Sequence, residues 1–162
     1  LPLPALTDSE CDEVLSGLRH GLLAVVRTNN TPVGVPGWYD WASGRVSMFA
    51  LATSPKIARL KANPKASLLV VNNLDELEAW VAFDGTVKIS NEGGLELAER
   101  LAARYWDLSQ PRQAKMLEQW RAAASQILLL ELSPEKIRSY KDRVFCLIDE
   151  TVISILWPAM TR

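Results

Sequence analysis

The sequence has 162 residues, 48% of them hydrophobic and 23% charged, and its formal net charge at pH 7 is -1. This length and composition suit one soluble globular domain, and every apolar run is shorter than the roughly 20 residues that a membrane-spanning helix needs. Because Lys and Arg are spread along the chain and form no basic stripe, we expect neither nucleic acid nor a membrane as a partner.

The first predicted element is a helix over residues 8–19. Thr7 and Glu10 have the spacing of a capping box, and Val14, Leu15 and Leu18 then provide one apolar face. This pattern is typical of a short amphipathic helix that packs on a sheet.

Three predicted strands follow the helix. Residues 21–27 and 31–41 form a predicted hairpin, because Asn29-Asn30 suits the positive φ angles of a tight turn. A second turn at residues 42–44 leads into residues 46–51, whose apolar side chains on both faces indicate a central strand.

The next segment changes from strand to helix within a few residues. Ser54 is a favoured N-cap, and Pro55 suits the first helical position because its missing N–H would be unpaired there anyway. Ile57 and Leu60 give this helix an inward face, and Pro64 ends it. The pattern predicts a strand that runs directly into a short helix.

The second half of the sequence continues the alternation of strand and helix periods. It predicts two strands, two helices and a last strand, at residues 65–72, 79–90, 92–105, 113–124 and 125–132. The total is six strands joined mainly by short turns, without repeated strand-helix-strand units. This organisation predicts a mixed α+β chain built on a closed antiparallel barrel rather than a doubly wound parallel sheet.

The segment from Thr53 to Lys56 is the best candidate for an anion site. A helix N-terminus offers unpaired N–H groups and a partial positive charge, and Lys56 adds a full charge within the first turn. The hydroxyls of Thr53 and Ser54 can donate to the same group. The alternative interpretation is an ordinary helix start on the protein surface.

Side chains that could carry catalysis by themselves are scarce. GxSxG, Walker, HExxH and GxGxxG motifs are missing, and no metal ligand set is apparent. His20, the single histidine, precedes Gly21 at the predicted helix-to-strand corner, where a structural or solvent-facing role is expected. Cys11 and Cys146 belong to no CxxC motif or Cys/His cluster and are interpreted as buried or reduced thiols. An enzyme with this sequence would borrow its reactivity from a bound redox cofactor, and no catalytic residue is assigned.

Several segments, in order, resemble pyridoxamine-phosphate-oxidase-like proteins. They are Gly21 to Arg27 with its hairpin, Pro32 to Trp41, Thr53 to Lys56 with Asn63-Pro64, Trp80 to Gly85, and Ile127 to Ile137. The resemblance covers residues 8 to 141. It implies a six-stranded antiparallel FMN-binding split β-barrel with peripheral helices over residues 1–143. The extension 144–162 would then pack on the barrel or on a dimer partner.

The resemblance also implies a cofactor site between the two subunits of a homodimer. By position, Lys56 would bind the cofactor phosphate, Thr53 and Ser54 would hydrogen-bond it, and Arg59 would be a second cation. The end of the preceding strand, from Phe49 to Ala52 and including Leu51, would line the ring or the ribityl chain. Trp38 and Trp41 fall on a strand whose side chains can face the ring, and the barrel core or a dimer contact is the alternative for each.

The implied function is an FMN-dependent or deazaflavin (coenzyme F420)-dependent oxidoreductase that transfers hydride to or from a small organic substrate. A non-catalytic carrier or sensor of such a cofactor is the alternative. A haem-handling role is disfavoured, because haem iron needs a protein ligand and only His20 is available. The arginine-rich substrate residues of the vitamin-pathway oxidases have no counterpart after Leu132. A secretion signal is not evident at the N-terminus, so a cytoplasmic location is expected.

Overall fold

The computed structural model describes residues 5–142, so the predicted boundary at residue 143 and the extension 144–162 lie outside the described residues. Within this part the chain forms seven strands, four α-helices and one 3-10 turn. Their bounds are α1 Asp8–Ser16, β1 Gly21–Val26, β2 Pro32–Gly37, β3 Asp40–Ala42, β4 Arg45–Leu51, α2 Pro55–Ala62, β5 Lys65–Val71, β6 Ala79–Ser90, α3 Gly94–Tyr105, α4 Pro111–Ala122, the 3-10 turn Ala124–Gln126 and β7 Ile127–Lys141. None of the described helices is both long and apolar enough to cross a membrane.

The strands form one antiparallel sheet in the order β2-β1-β5-β6-β7-β4-β3. The prediction of an antiparallel split barrel with peripheral helices is therefore confirmed. The prediction of a closed barrel is wrong for residues 5–142, since β2 and β3 are edge strands with no ladder between them. The predicted count of six strands is also wrong.

The seventh strand arises because the predicted strand 31–41 is broken at Trp38 and Tyr39. Tyr39 turns into the core, where its side chain is fully buried, and its hydroxyl donates to the Leu15 carbonyl at 2.8 Å. The break separates β2 from β3 and lets Trp38 and Trp41 face different parts of the molecule.

The last strand runs to Lys141 rather than ending at Leu132 as predicted. Gly85 pairs with Pro134 whereas Asp84 pairs with Lys136, so Glu135 is the extra residue of a β-bulge. A proline is tolerated at a bulge because its missing N–H need not enter the ladder. Glycine is required opposite it, because a Cβ on Gly85 would lie 2.1 Å from the Ser133 carbonyl oxygen.

The core lies between the sheet and the helices α1 and α2. It is built from apolar side chains at alternate strand positions and from one face of each helix. Its fully buried members include Leu15, Val25, Val46, Ile57, Leu60, Leu68, Val70, Val81 and Phe83.

The carbonyls at the C-terminal end of α1 accept hydrogen bonds from side chains outside the helix. Arg19 donates to the Val14 carbonyl at 2.9 Å, and Arg104 donates to the carbonyls of Ser16 and Gly17 at 2.8 Å each. Such contacts satisfy carbonyls that a helix end leaves without intrahelical partners. They also fasten the end of α3, which carries Arg104, to the end of α1.

The Leu15 carbonyl, near the end of α1, accepts its hydrogen bond from the Tyr39 hydroxyl, and removing this hydroxyl tests how much such a contact stabilises the fold. Tyr39→Phe leaves the Leu15 carbonyl without its donor in a buried site, and we expect the free energy of unfolding to fall by about 1–2 kcal/mol. Tyr140→Phe is the matched control, because the Tyr140 side chain is only partly buried, and its stability should stay within about 0.5 kcal/mol of wild type. Urea denaturation of the three proteins measures the difference, and equal losses in both variants would contradict the assignment.

Asp84 gives stability a defined pH dependence. Arg138 donates to both carboxylate oxygens at 2.7 and 2.8 Å, and with a further hydrogen bond from Ser67 it lowers the pKa of Asp84 from 3.8 to about 2. A lowered folded-state pKa means that the unfolded chain binds the proton more readily. The stabilisation is therefore present above pH 3.8 and is lost as the pH falls toward 2.

We expect Asp84→Asn to melt below wild type at about pH 6, with a gap that narrows as the pH falls to about 3. Thermal melts across this range measure the gap. Asp75→Asn, on the exposed loop before β6, is the control and should follow wild type throughout. A gap that stays constant with pH would show that the ionised Asp84 does not contribute.

Candidate functional site

A cleft of about 690 Å³ lies where β4 runs into α2. Its lining comes from the end of β2, from β4, from the first turn of α2 and from the helices between β6 and β7. The lining residues are His20, Pro36, Gly37, Trp38, Met48, Phe49, Ala50, Leu51, Ser54, Lys56, Trp106 and Trp120. Most of them are apolar, and no carboxylate is among them.

The strand-to-helix junction forms one end of this cleft. The Ser54 N–H donates to the Leu51 carbonyl at 2.8 Å, which turns the chain, and Pro55 then begins α2 as predicted. Ser54 is the N-cap residue, but its side chain makes no capping hydrogen bond. Its hydroxyl therefore remains available to a ligand in the cleft.

Lys56 is the one cation among the described residues that line the cleft, and it is partly buried. Among residues 5–142, no carboxylate forms an ion pair with its ammonium group, and burial lowers the pKa of this group. Withdrawal from water disfavours a charge that has no counter-ion. An anion bound in the cleft would supply the missing counter-charge.

The structure brings four of the seven predicted cofactor-binding residues together: Leu51, Ser54, Lys56 and Trp38 all line the cleft. Three others lie outside the lining. Ala52 packs against the core and the Thr53 side chain is exposed. Arg59 lines a different cleft, formed by α2 and the β1–β2 hairpin, with Arg27, Asn29, Asn30 and Asn63 among its neighbours.

Trp38 and Trp41 have different surroundings. Trp41 stacks on the core ring of Phe83 at 5.0 Å between centroids, and its indole N–H donates to Asp12 at 2.8 Å. Trp41 is therefore partly buried against the core, close to one of its two interpretations, while Trp38 faces the cleft.

Sequence reasoning missed two of the aromatic side chains that line the cleft. Trp106 and Trp120 join Trp38 and Phe49 there, and His20 lies beside them with its ring 5.8 Å from the Tyr105 ring. Trp106 follows the last residue of α3 and Trp120 lies in α4, both far along the chain from the Thr53–Lys56 segment. The abundance of tryptophan, six in 162 residues, was the only available signal.

A curled antiparallel sheet of this order, with a cleft where its strand β4 runs into a helix, defines the class of split-barrel proteins. The family described as pyridoxamine 5'-phosphate oxidase matches residues 7–140, and the chain belongs to this family. A comparison with curated proteins found no match.

Solved structures with the same fold are only distantly similar in sequence. One is a conserved hypothetical protein, Rv2991, from Mycobacterium tuberculosis, with a TM-score of 0.68, 20% identity, and coverage of 89% of this chain and 90% of that one. An F420 reductase has a TM-score of 0.64 at 20% identity and covers 78% and 94% of the two chains. A FAD-binding protein from Mesorhizobium loti has a TM-score of 0.61 at 20% identity, covering 85% and 95%.

Proposed function

We propose that this chain binds a phosphate-bearing flavin-type cofactor in the cleft and transfers hydride between that cofactor and a small organic substrate. FMN is the first candidate, and the deazaflavin coenzyme F420 is the alternative. Membership of the family supports the proposal, as do neighbours named as an F420 reductase and a FAD-binding protein. The observation that carries the proposal is Lys56, a partly buried cation in the first turn of α2 that has no counter-ion among residues 5–142.

The residues of the cleft fit such a cofactor. Lys56 and the uncapped Ser54 hydroxyl offer a charge and a hydrogen bond to a phosphate group at the start of α2. Ala50 and Leu51 of β4 offer an apolar surface along which a ring can lie, and the lining residues among 5–142 include no carboxylate that would repel the phosphate. When bound, the cofactor ring would supply the hydride chemistry, which the side chains of the cleft lack. The chain itself would bind, orient and desolvate the reactants.

Titration of the purified protein with FMN and, separately, with F420 tests the proposal. We expect saturable binding of one of them at one molecule per chain, with a shift of the cofactor absorption band. A visible spectrum taken before titration reveals any flavin, deazaflavin or haem carried from expression. Failure of both cofactors to bind would overturn the proposal.

Turnover separates the oxidoreductase from the carrier or sensor. An oxidoreductase oxidises its loaded, reduced cofactor faster when an organic acceptor is added, whereas a carrier leaves that rate equal to the rate without acceptor. Stopped-flow absorbance of the loaded protein under anaerobic conditions makes this comparison.

We further propose that two copies of the chain pair through the outer face of the sheet. Leu22 of β1 and Val71 of β5 are 40% and 45% exposed there, and Trp80 of β6 lies in the same apolar groove. No element among residues 5–142 covers this groove, and a second copy would bury it. Stable pairing of this kind needs more than about 1,000 Å² of interface.

Sedimentation equilibrium at micromolar concentration should give the mass of a dimer. Val71→Asp places a charge in the groove and should shift the equilibrium toward monomer by at least about tenfold, because an unpaired buried charge is costly. Leu74→Asp is the control, since Leu74 is fully exposed on the loop before β6 and should leave the dimer intact. A wild-type monomer would rule out this pairing.

A further inference from the structure

Five aromatic rings contact one another at the cleft, and we call them the aromatic wall: Trp38, Phe49, Trp106 and Trp120, which line the cleft, and Tyr105, which contacts Trp38. Trp38 stacks on Tyr105 with centroids 5.0 Å apart and an interplanar angle of 8°. Trp106 meets Trp38 edge-on at 4.7 Å and stacks on Trp120 at 5.1 Å. Phe49 completes the wall with an edge contact to Trp120 at 5.1 Å.

The aromatic wall is not explained by core packing. All five rings remain partly exposed, in contrast to Tyr39 and Phe83, which are fully buried. The helix α3 already has its own buried apolar face, which includes Leu97 and Leu101, and α4 contributes Leu117. Large apolar rings left in contact with water inside a cleft are characteristic of a ligand-binding surface.

The other residues of the cleft restrict what this wall can hold. Among residues 5–142 the lining contains no carboxylate, and Lys56 is its one cation. The ring faces would attract a cationic ligand, but no carboxylate of the lining would neutralise its charge, and an anionic group would be drawn to Lys56 instead. Flat aromatic side chains gain most from a flat partner, on which they stack or which they meet edge-on.

We propose that the aromatic wall binds the second reactant of this protein, a planar, uncharged and conjugated organic molecule. The role of this molecule as a reactant rests on the proposed oxidoreductase function, whereas its binding to the aromatic wall does not. The two ends of the cleft then have separate tasks: Lys56 and Ser54 hold the anionic cofactor, and the aromatic wall holds the neutral molecule beside it.

The probe is 2-naphthol, which is planar and uncharged at neutral pH, and its saturated analogue decahydro-2-naphthol is the matched ligand. Equilibrium dialysis measures both dissociation constants without relying on tryptophan fluorescence. We expect wild type to bind 2-naphthol about tenfold more tightly than the saturated analogue, because only the planar molecule stacks. We also expect the protein loaded with its cofactor to retain 2-naphthol binding.

Variants of α4 locate the site. Trp120→Ala should weaken 2-naphthol binding about tenfold, and Trp120→Phe should recover most of it because a ring is restored. Met116→Ala is the control on the same helix: its side chain is exposed, lies outside the cleft lining and should leave the dissociation constant unchanged. Trp106→Ala replaces Trp120→Ala if that variant does not fold.

The inference is overturned if wild type binds both alcohols equally well. It is also overturned if Trp120→Ala binds 2-naphthol as tightly as Met116→Ala and wild type do. Competition between 2-naphthol and FMN or F420 would overturn it too, because the aromatic wall would then hold the cofactor ring. Failure of both cofactors to bind while 2-naphthol binds would instead refute the proposed function, so the two failures are distinguishable.

Discussion

Gly94→Ala is expected to lower the free energy of unfolding by about 2–3 kcal/mol, although alanine is the better helix former by about 1 kcal/mol. Gly94 is the first residue of α3 and is buried against the start of β7. A Cβ there would lie 2.2 Å from the Ile127 carbonyl oxygen and 2.7 Å from its carbon. These are backbone atoms that cannot rotate away, so α3 would have to move.

The displacement should also reach the cleft, because α3 ends at Tyr105 and Trp106 follows it. We expect a changed near-UV circular dichroism signal together with the lower denaturation midpoint in urea. Glu96→Ala, an exposed position in the first turn of α3, is the control and should stay within about 0.5 kcal/mol of wild type. A Gly94→Ala protein more stable than wild type would show that α3 and β7 separate without cost.

Local signals in the sequence predicted the starts of two helices correctly. The capping box of Thr7 and Glu10 is formed, with the Thr7 N–H donating to the Glu10 carboxylate at 2.8 Å and the Glu10 N–H to the Thr7 hydroxyl at 3.3 Å. Pro55 begins α2, and Ile57 and Leu60 are its buried residues as expected. These features depend on residues within one turn of each other, which is why the sequence reveals them.

Strand ends and the closure of the sheet depend on distant partners and were predicted less well. The last strand was predicted to end at Leu132, yet it continues through Ser133 and Pro134 because Gly85 on β6 leaves room for a bulge. Likewise, the strand breaks at Tyr39, where the side chain enters the core and its hydroxyl donates a hydrogen bond to the Leu15 carbonyl of α1. Neither partner can be identified from the segment that it affects.

The residues of the candidate site also fall into two groups, those recognisable from adjacent residues and those placed by distant packing. Ser54 and Lys56 were recognisable because the strand, the N-cap and the basic first turn are adjacent in sequence. Trp106 and Trp120 reach the cleft only through the packing of α3 and α4, and nothing near them in the sequence indicates a ligand. The placement of Arg59 in another cleft also depends on packing, in this case of α2 against the β1–β2 hairpin.

Lys56→Ala is expected to weaken binding of the cofactor on the order of tenfold to a hundredfold. Loss of a charge-assisted contact to phosphate costs about 1.5–3 kcal/mol, and Lys56→Glu should be worse because it sets like charges together. The protein without cofactor should keep its stability within about 0.5 kcal/mol or gain slightly, since burial already lowers the pKa of this cation, which has no ion-pair partner among residues 5–142. Titrations with FMN and with F420, beside thermal melts without ligand, measure both effects.

Two further basic residues of α2 serve as controls for Lys56. Lys61→Ala removes an exposed cation from the same helix, and Arg59→Ala removes the one that lines the other cleft. Neither residue lines the cleft that contains Lys56, so each substitution should change FMN affinity by less than about threefold. Equal losses in all three variants would mean that the helix acts only through its total charge. A large loss in Arg59→Ala alone would place the phosphate in the cleft beside the β1–β2 hairpin and exclude Lys56 as its ligand.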